Sequence, residues 1–302
     1  MNDEVLQNYI KAGKIAAEVR EQSAKLAKVD MPLLELAEKV EAMVREQGAY
    51  PAFPVNLSLN EFAAHYTPQS NDEAKIKEGD VLKIDVGAHV DGYIADTAIT
   101  VDFGKNVDLL KAAKDALTAA VEIVKPGVLI SDISKVIEDT IRGSGFKPVE
   151  NLTGHGLDRF VEHKEPSVPN VYMRNDYRLK EDQVIAIEPF ATGGIGHVKD
   201  TPEVMIFSFS QDKPVRSVDA KKIVSFVQQF NGLPFAERWL MTKQAEESGV
   251  PQSLFKIRMA LRELVQRGVI YSYPVLREAK AGLVSQAEHT IIVRDEPIVI
   301  TK

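Results

Sequence analysis

The sequence predicts an α+β fold made of two related halves with a helical insertion near the end, and three observations carry that prediction. The first is a strand signal. Val81 to Phe103 reads as two β-rich runs broken by Asp91-Gly92, a strong hairpin turn. The second is an internal echo. Leu33, Leu36, Val40, Val44, Gly48 and Pro51 match Ile130, Ile133, Ile137, Ile141, Gly145 and Pro148 at a constant offset of 97. Helical periodicity alone accounts for the apolar matches, but the Gly and Pro matches call for a shared backbone plan. The echo continues at Phe62-Ala63-Ala64-His65 against Phe160-Val161-Glu162-His163, at an offset of 98. The third is a change of texture between about Gln211 and Tyr273, where helical signals crowd between strands.

Taken in order, residues 3 to 28 read as an amphipathic helix, with Val5, Leu6, Tyr9, Ile10, Ala17 and Val19 as its apolar side. A second helix is expected near Asp30 as N-cap, with Pro32 in its first turn and Gly48 at its end. An extended stretch from Ala52 to Leu59 precedes the hairpin. Residues 107 to 124 form the third helix, broken by Pro126-Gly127. Ser131 is the expected cap of a fourth, running to about Arg142. Gln183 to Phe190 is an apolar strand with an acid near its end. Within 211 to 273, Asp219 is the expected cap of a helix to Phe230. A short helix over 242 to 248, a longer one from Ser253 to Arg267 and a short strand at Val269-Ile270 follow. That order resembles a winged-helix unit; a plain helical insertion reads equally well. Strands return from Gly282 to Val293 and from Ile298 to Thr301.

Composition bounds the function. A chain of 302 residues, 44% hydrophobic and 27% charged, has enough apolar material for a substantial core. A net charge of −7 gives no general electrostatic case for nucleic acid. There is no cysteine, which removes disulfides, thiolate metal sites and cysteine nucleophiles together. The first residues lack the basic-then-apolar order of a signal peptide, and no apolar run approaches the ~20 residues of a membrane span. A cytoplasmic location is the expectation.

Candidate chemistry centres on five side chains. With Asp91-Gly92 as the loop, Asp85 lies opposite Ala98 and Asp96 opposite Gly87, so both acids point to one face of the sheet. As diagonal neighbours they are spaced roughly 7–8 Å apart, too far for a direct hydrogen bond but suited to gripping a pair of cations. Glu188 and Glu288 also sit in apolar, β-rich runs, and His155 stands between two glycines that let backbone approach closely. Any one of these alone reads as structural. Four acids and one imidazole spread over both halves are a ligand set for two hard or borderline divalent ions, ~3.5–4 Å apart when carboxylates bridge them.

A family resemblance gathers these residues. The chain resembles the type II methionine aminopeptidases, within the pita-bread fold shared with prolidase and aminopeptidase P. The matching motifs are A-F-P-V-N-L-S-L-N-E-F-A-A-H-Y-T-P at 52 to 68, I-D-V-G-A-H-V-D-G-Y-I-A-D-T-A at 84 to 98, G-H-G-L at 154 to 157, I-E-P-F-A-T-G at 187 to 193, L-P-F-A-E-R-W-L at 233 to 240 and Q-A-E-H-T at 286 to 290. They span almost the whole chain. The insertion before the last acid separates type II from type I enzymes, and without a long polybasic leader the chain looks archaeal.

The resemblance implies a single catalytic domain with the 211 to 273 insertion within it, and removal of the N-terminal methionine ahead of a small second residue. Two divalent ions, drawn from Co, Mn, Fe, Zn or Ni, would be held by Asp85, Asp96, His155, Glu188 and Glu288. Asp96 and Glu288 match the bridging positions, and Glu188 matches the proton shuttle. His65 and His163 match substrate-contacting histidines, while Phe53, Tyr273 and Leu276 fall where the methionine pocket is lined. Glu162 stands where relatives can carry an apolar pocket residue. The implied partners are N-termini of nascent polypeptides, with the ribosome a further expectation; no membrane or nucleic acid partner and a monomeric chain are expected. An Xaa-Pro-type peptidase of the same fold and a non-catalytic binding protein are the alternatives.

Overall fold

The computed structural model describes all residues from Met1 to Lys302. The two-half plan is visible in its helix and hairpin order. Helices Asp3–Leu26 and Leu33–Glu46 precede a ten-residue-per-strand hairpin, Val81–Val90 with Tyr93–Asp102. Helices Val107–Glu122 and Ile130–Gly143 precede a second hairpin, Thr153–Asp158 with Val161–Pro169. The echo positions take corresponding places in the two halves. Leu33 and Ile130 each open a helix. Gly48 and Gly145 each follow a helix end at φ 79° and 84°, and Pro51 and Pro148 each lie in a two-residue strand.

Each helix pair packs its apolar face on its own sheet. The first half buries Leu33, Leu36 and Val40 against Leu57, Ile84 and Ile94 in a core of 30 residues. The second buries Ile130, Ile133 and Ile137 against Ile185, Ile187 and Ile291 in a core of 18. A third core of 17 residues runs from Phe207 to Ile270 and joins helices Val218–Val227 and Leu254–Gln266 to Trp239 and Phe235. Antiparallel sheets connect these units. One of them sets Val198–Phe209 against Ile270–Glu278, which pairs in turn with Phe62–Ala64. No helix is long and apolar enough to cross a membrane.

Several expected elements differ. Asp30 is not a cap: it sits at φ 68° in a turn, and Pro32 takes the cap position, its fixed φ suiting the entry to the helix. Ser131 and Asp219 lie one residue inside their helices, which are entered through Leu129 and Ser217. The extended stretch from Ala52 narrows to the strand Asn56–Leu59. The strand expected at Val269-Ile270 runs on to Glu278, and Val198–Phe209 and Val161–Pro169, both rich in polar residues, were not foreseen as strands. Charged alternation and edge positions hide such strands from hydrophobic patterning.

The largest difference matters for the site. The run Gln183–Phe190 is two strands, Val184–Ile187 and Phe190–Thr192, in different sheets, with Glu188-Pro189 between them. The run Gly282–Val293 is likewise two strands, Val284–Gln286 and His289–Ile292, with Ala287-Glu288 between them. The chain changes sheets at both glutamates. Pro189 has no N–H to give to a continued ladder, and each break leaves a glutamate free to face the space between the halves.

Candidate metal centre

The hairpin has the expected register. Asp85 pairs with Ala98 and Gly87 with Asp96. Asp91 at φ 51° and Gly92 at φ 84° make the two-residue turn that fixes it. Both acids face inward. The two carboxyls are close enough for the charge of Asp85 to raise the pKa of Asp96.

His155 comes from the second hairpin. A Cβ on Gly154 would lie 2.3 Å from the Ala186 carbonyl oxygen, and one on Gly156 would lie 2.6 Å from that of Glu165. Only glycine fits on either side, which seats His155 deep between neighbouring strands. Its Nδ1 faces the Gly156 carbonyl at 3.3 Å. A carbonyl can only accept, so Nδ1 carries the proton and Nε2 is bare. That bare nitrogen lies 3.5 Å from Glu188 Oε1 and 3.7 Å from Asp96 Oδ2. A lone pair aimed at two carboxylates is repulsive unless a cation sits among them.

The same demand appears throughout the cluster. Ligand atoms of Asp96, His155 and Glu288 all lie within 4.8 Å of one another, and all three residues are buried. Asp85 Oδ1, Asp96 Oδ1 and Glu288 Oε1 are shut from solvent with no hydrogen-bond partner. Burial pushes the Asp85 carboxyl up to about 6. Burial, reinforced by neighbouring acids, pushes Asp96, Glu188 and Glu288 well above the usual carboxylate range. Burial also lowers His155 to about 4, keeping it a neutral ligand. Orphaned acid oxygens around a neutral imidazole fit divalent cations, and with no thiolate the set suits hard or borderline ions.

The surroundings hold this set in place. Gln286 Nε2 donates to Asp85 Oδ2 at 3.2 Å and to Glu288 Oε2 at 3.3 Å, one amide steadying two acids. Thr290 Oγ1 accepts from the Asp96 amide and donates to its carbonyl, each at 2.8 Å. Thr97 Oγ1 donates to the Glu288 carbonyl at 2.8 Å and accepts from buried Arg20 of the first helix. These residues stitch the hairpin of one half to the glutamate-bearing break of the other. None was picked out by sequence reasoning, although Gln286 and Thr290 flank Glu288 within a quoted motif.

All ten residues singled out from sequence line one cleft of about 220 Å³. Phe53, Tyr273 and Leu276 supply apolar wall, joined by Ile206 and Pro234, which sequence reasoning missed. His65 adopts φ 65°, a strained conformation for a non-glycine residue that is characteristic of functional positions. Its Nδ1 meets the Pro274 carbonyl at 3.0 Å, so its Nε2 is the bare nitrogen, and burial holds the ring neutral. His163 packs edge-on against His155, with ring centres 4.4 Å apart. Its side chain is half exposed, yet burial, with His155 and His65 beside it, lowers its pKa to about 3 and keeps the ring neutral.

A stability prediction follows from the acids. Above about pH 7 the buried histidines are neutral in both folded and unfolded chains and drop out of the balance. Asp96, Glu188 and Glu288, together with Glu162 at about 8, have raised pKa values in the fold, while the same groups ionise near pH 4 when unfolded. The folded chain therefore binds more protons, and stability falls as pH rises through the folded pKa values. The slope is about 1.4 kcal/mol per pH unit for each proton held. Buried Lys83 works oppositely, but it does not line the cleft and its amine is held by the Asn60 carbonyl, so comparing metal-free with metal-loaded protein isolates the acids. The expected result is a melting temperature that drops between about pH 7 and 9 after chelation and is restored by a divalent ion, measured by calorimetry.

A buried acid and imidazole cluster between two α+β halves fits a metal-dependent enzyme. The chain belongs to metallopeptidase family M24, whose profile matches residues 7–225. It is 50% identical over 299 residues to a methionine aminopeptidase of Pyrococcus abyssi, covering 98% of this chain and 99% of the relative. It is 48% identical over 302 residues to one from Archaeoglobus fulgidus, covering 100% and 99%. Among solved structures, methionine aminopeptidase from Thermotoga maritima superposes with a TM-score of 0.72 at 20% identity, covering 100% of this chain and 98% of that one. Prolidase from Pyrococcus furiosus reaches 0.62 at 17% identity, covering 100% and 64%. These two likenesses establish the pita-bread fold.

Proposed function

We infer that this chain is a metal-dependent aminopeptidase that removes the N-terminal methionine from proteins and peptides. The observation that carries the reading is full-length identity near one half to relatives named methionine aminopeptidase. The Xaa-Pro and non-catalytic alternatives are not favoured by those relatives. A small second residue is preferred because the peptide beyond the first residue must pass the walls of a cleft of about 220 Å³.

In this reading Asp85, Asp96, His155, Glu188 and Glu288 would hold two divalent ions, with Asp96 and Glu288 central to the set. When bound, such ions polarise the substrate carbonyl and lower the pKa of the attacking water. Glu188, already disposed to hold a proton by its burial, receives the proton of that water and passes it to the leaving amine. His65 offers a bare Nε2 to the N–H of the scissile amide and so fixes its orientation. His163, neutral and at the cleft mouth, donates to the carbonyl oxygen as it gains charge. The acidic end near Asp85 receives the free α-amine, which restricts cleavage to N-termini.

The 211 to 273 segment forms an insertion within one catalytic domain. The separate core from Phe207 to Ile270 supports this, while the strand Ile270–Glu278 returns Tyr273 and Leu276 to the cleft. The helix order within it suits a winged-helix-like unit. A cytoplasmic, monomeric enzyme acting on nascent chains at the ribosome accords with this activity.

The test is kcat/KM over tripeptides varied at the first position and then at the second. Met-Ala-Ser is expected to be cleaved best. Asp-Ala-Ser should be rejected by several kcal/mol, roughly a thousandfold or more, because its charge would be buried beside the cleft acids. Leu-Ala-Ser should lose only about 1–3 kcal/mol. Met-Trp-Ser should fall well below Met-Ala-Ser. Equal cleavage of the Asp and Met peptides contradicts the pocket assignment.

A further inference from the structure

We propose that Glu162 gives the first-residue subsite a second, polar specificity, so that the cleft also takes peptides beginning with an unbranched side chain tipped by a hydrogen-bond donor, glutamine above all. The inference rests on the aminopeptidase reading. Glu162 is a fifth acid in the cleft and has no place in the ligand set of four acids and one histidine. Its side chain is only 13% exposed, and its Oε2 is shut from solvent with no hydrogen-bond partner. The nearest basic group is His163 Nδ1 at 3.8 Å, beyond a hydrogen bond.

The carboxyl stands on a border. Its charge reaches Asp96 and Glu188 on the acidic floor, and it also reaches the phenol of Tyr273 on the wall. Phe53, Ile206, Pro234 and Leu276 are apolar residues that share the lining with Glu162, and His65 packs against Tyr273. A buried carboxyl oxygen without a partner is costly, and what enters beside Tyr273 is the side chain of the first residue. A thioether has no proton to donate to it. The glutamine amide matches methionine in length and branching and offers two N–H donors. A carboxyl oxygen accepts that bond whether or not the group carries a proton.

The test uses metal-loaded enzyme, wild type beside Glu162→Leu and the near-isosteric Glu162→Gln. Freshly prepared Gln-Ala-Ser, Met-Ala-Ser and norleucyl-Ala-Ser are the substrates. Metal content and calorimetric binding of free L-glutamine are measured on the same samples. Wild type is expected to cleave the glutamine peptide. In Glu162→Leu the ratio of kcat/KM for glutamine over norleucine should fall about tenfold or more, and L-glutamine should bind more weakly by a similar factor. Glu162→Gln, still an acceptor, should keep most of the ratio, and metal content should be unchanged in both variants. An unchanged ratio in Glu162→Leu overturns the proposal. So does an uncleaved glutamine peptide, an equal loss on all three substrates, or loss of metal, which would make Glu162 a ligand. Failure of the aminopeptidase reading looks different: wild type would then release no methionine from Met-Ala-Ser.

Discussion

Glu288→Gln and Asp96→Asn are each expected to abolish turnover and to lower bound metal from two ions towards one or none. Both residues are buried, and each keeps an oxygen with no protein partner. An amide in either place supplies one neutral oxygen where a bridging carboxylate supplies two charged ones, so two cations would repel each other across it. The loss in kcat should exceed about a thousandfold, as expected when the activated water disappears. The same variants should make the metal-free protein more stable at about pH 8, because each removes one acid from a mutually repelling group. Metal analysis and calorimetry separate these effects. Normal turnover with two ions bound in either variant would contradict the ligand assignment.

His65→Ala and His163→Ala are expected to lose rate while keeping metal. His65 spends its Nδ1 on the Pro274 carbonyl and has only Nε2 to offer to the cleft. His163 lies against His155 at the mouth, half open to solvent. Removing an oriented hydrogen-bonding or proton-handling group costs about 10²–10⁴ in kcat. His65→Ala carries a second consequence, since alanine at φ 65° is strained without the ring contacts to Tyr273 and Pro274 that hold it. Its melting temperature should fall by a few degrees, whereas that of His163→Ala should hardly change. Loss of metal in either would turn a substrate contact into a ligand.

Local chemistry made much of this molecule readable. The Asp91-Gly92 turn dictates the register that sets Asp85 and Asp96 on one face, and side-chain alternation does the rest. The offset of 97 between Leu33 and Ile130 reports a repeated helix pair because glycine and proline mark backbone turns that a duplicated unit must share. The breaks at Glu188 and Glu288 were hidden, because a strand that changes sheets keeps its apolar texture on both sides. Gln286, Thr97 and Arg20 were hidden for another reason: each acts through a partner at least 77 positions away, and no local pattern announces such a contact. The strand Val198–Phe209 was missed since its exposed half, Lys199 to Glu203, reads as loop. Glu162 was visible as an oddity, but only the fold shows that its carboxyl lines the cleft with a buried oxygen lacking a partner.

The central claim is that metal ions held by the acid cluster drive release of an N-terminal methionine. Free methionine liberated from Met-Ala-Ser, followed as manganese or cobalt is returned to chelated protein, tests it most directly, with Ala-Pro-Ser as the parallel substrate. The predicted result is no release before metal is added, full release at about two ions per chain, and an intact Ala-Pro-Ser throughout. Release that survives chelation, or cleavage of Ala-Pro-Ser in preference to Met-Ala-Ser, would contradict the account.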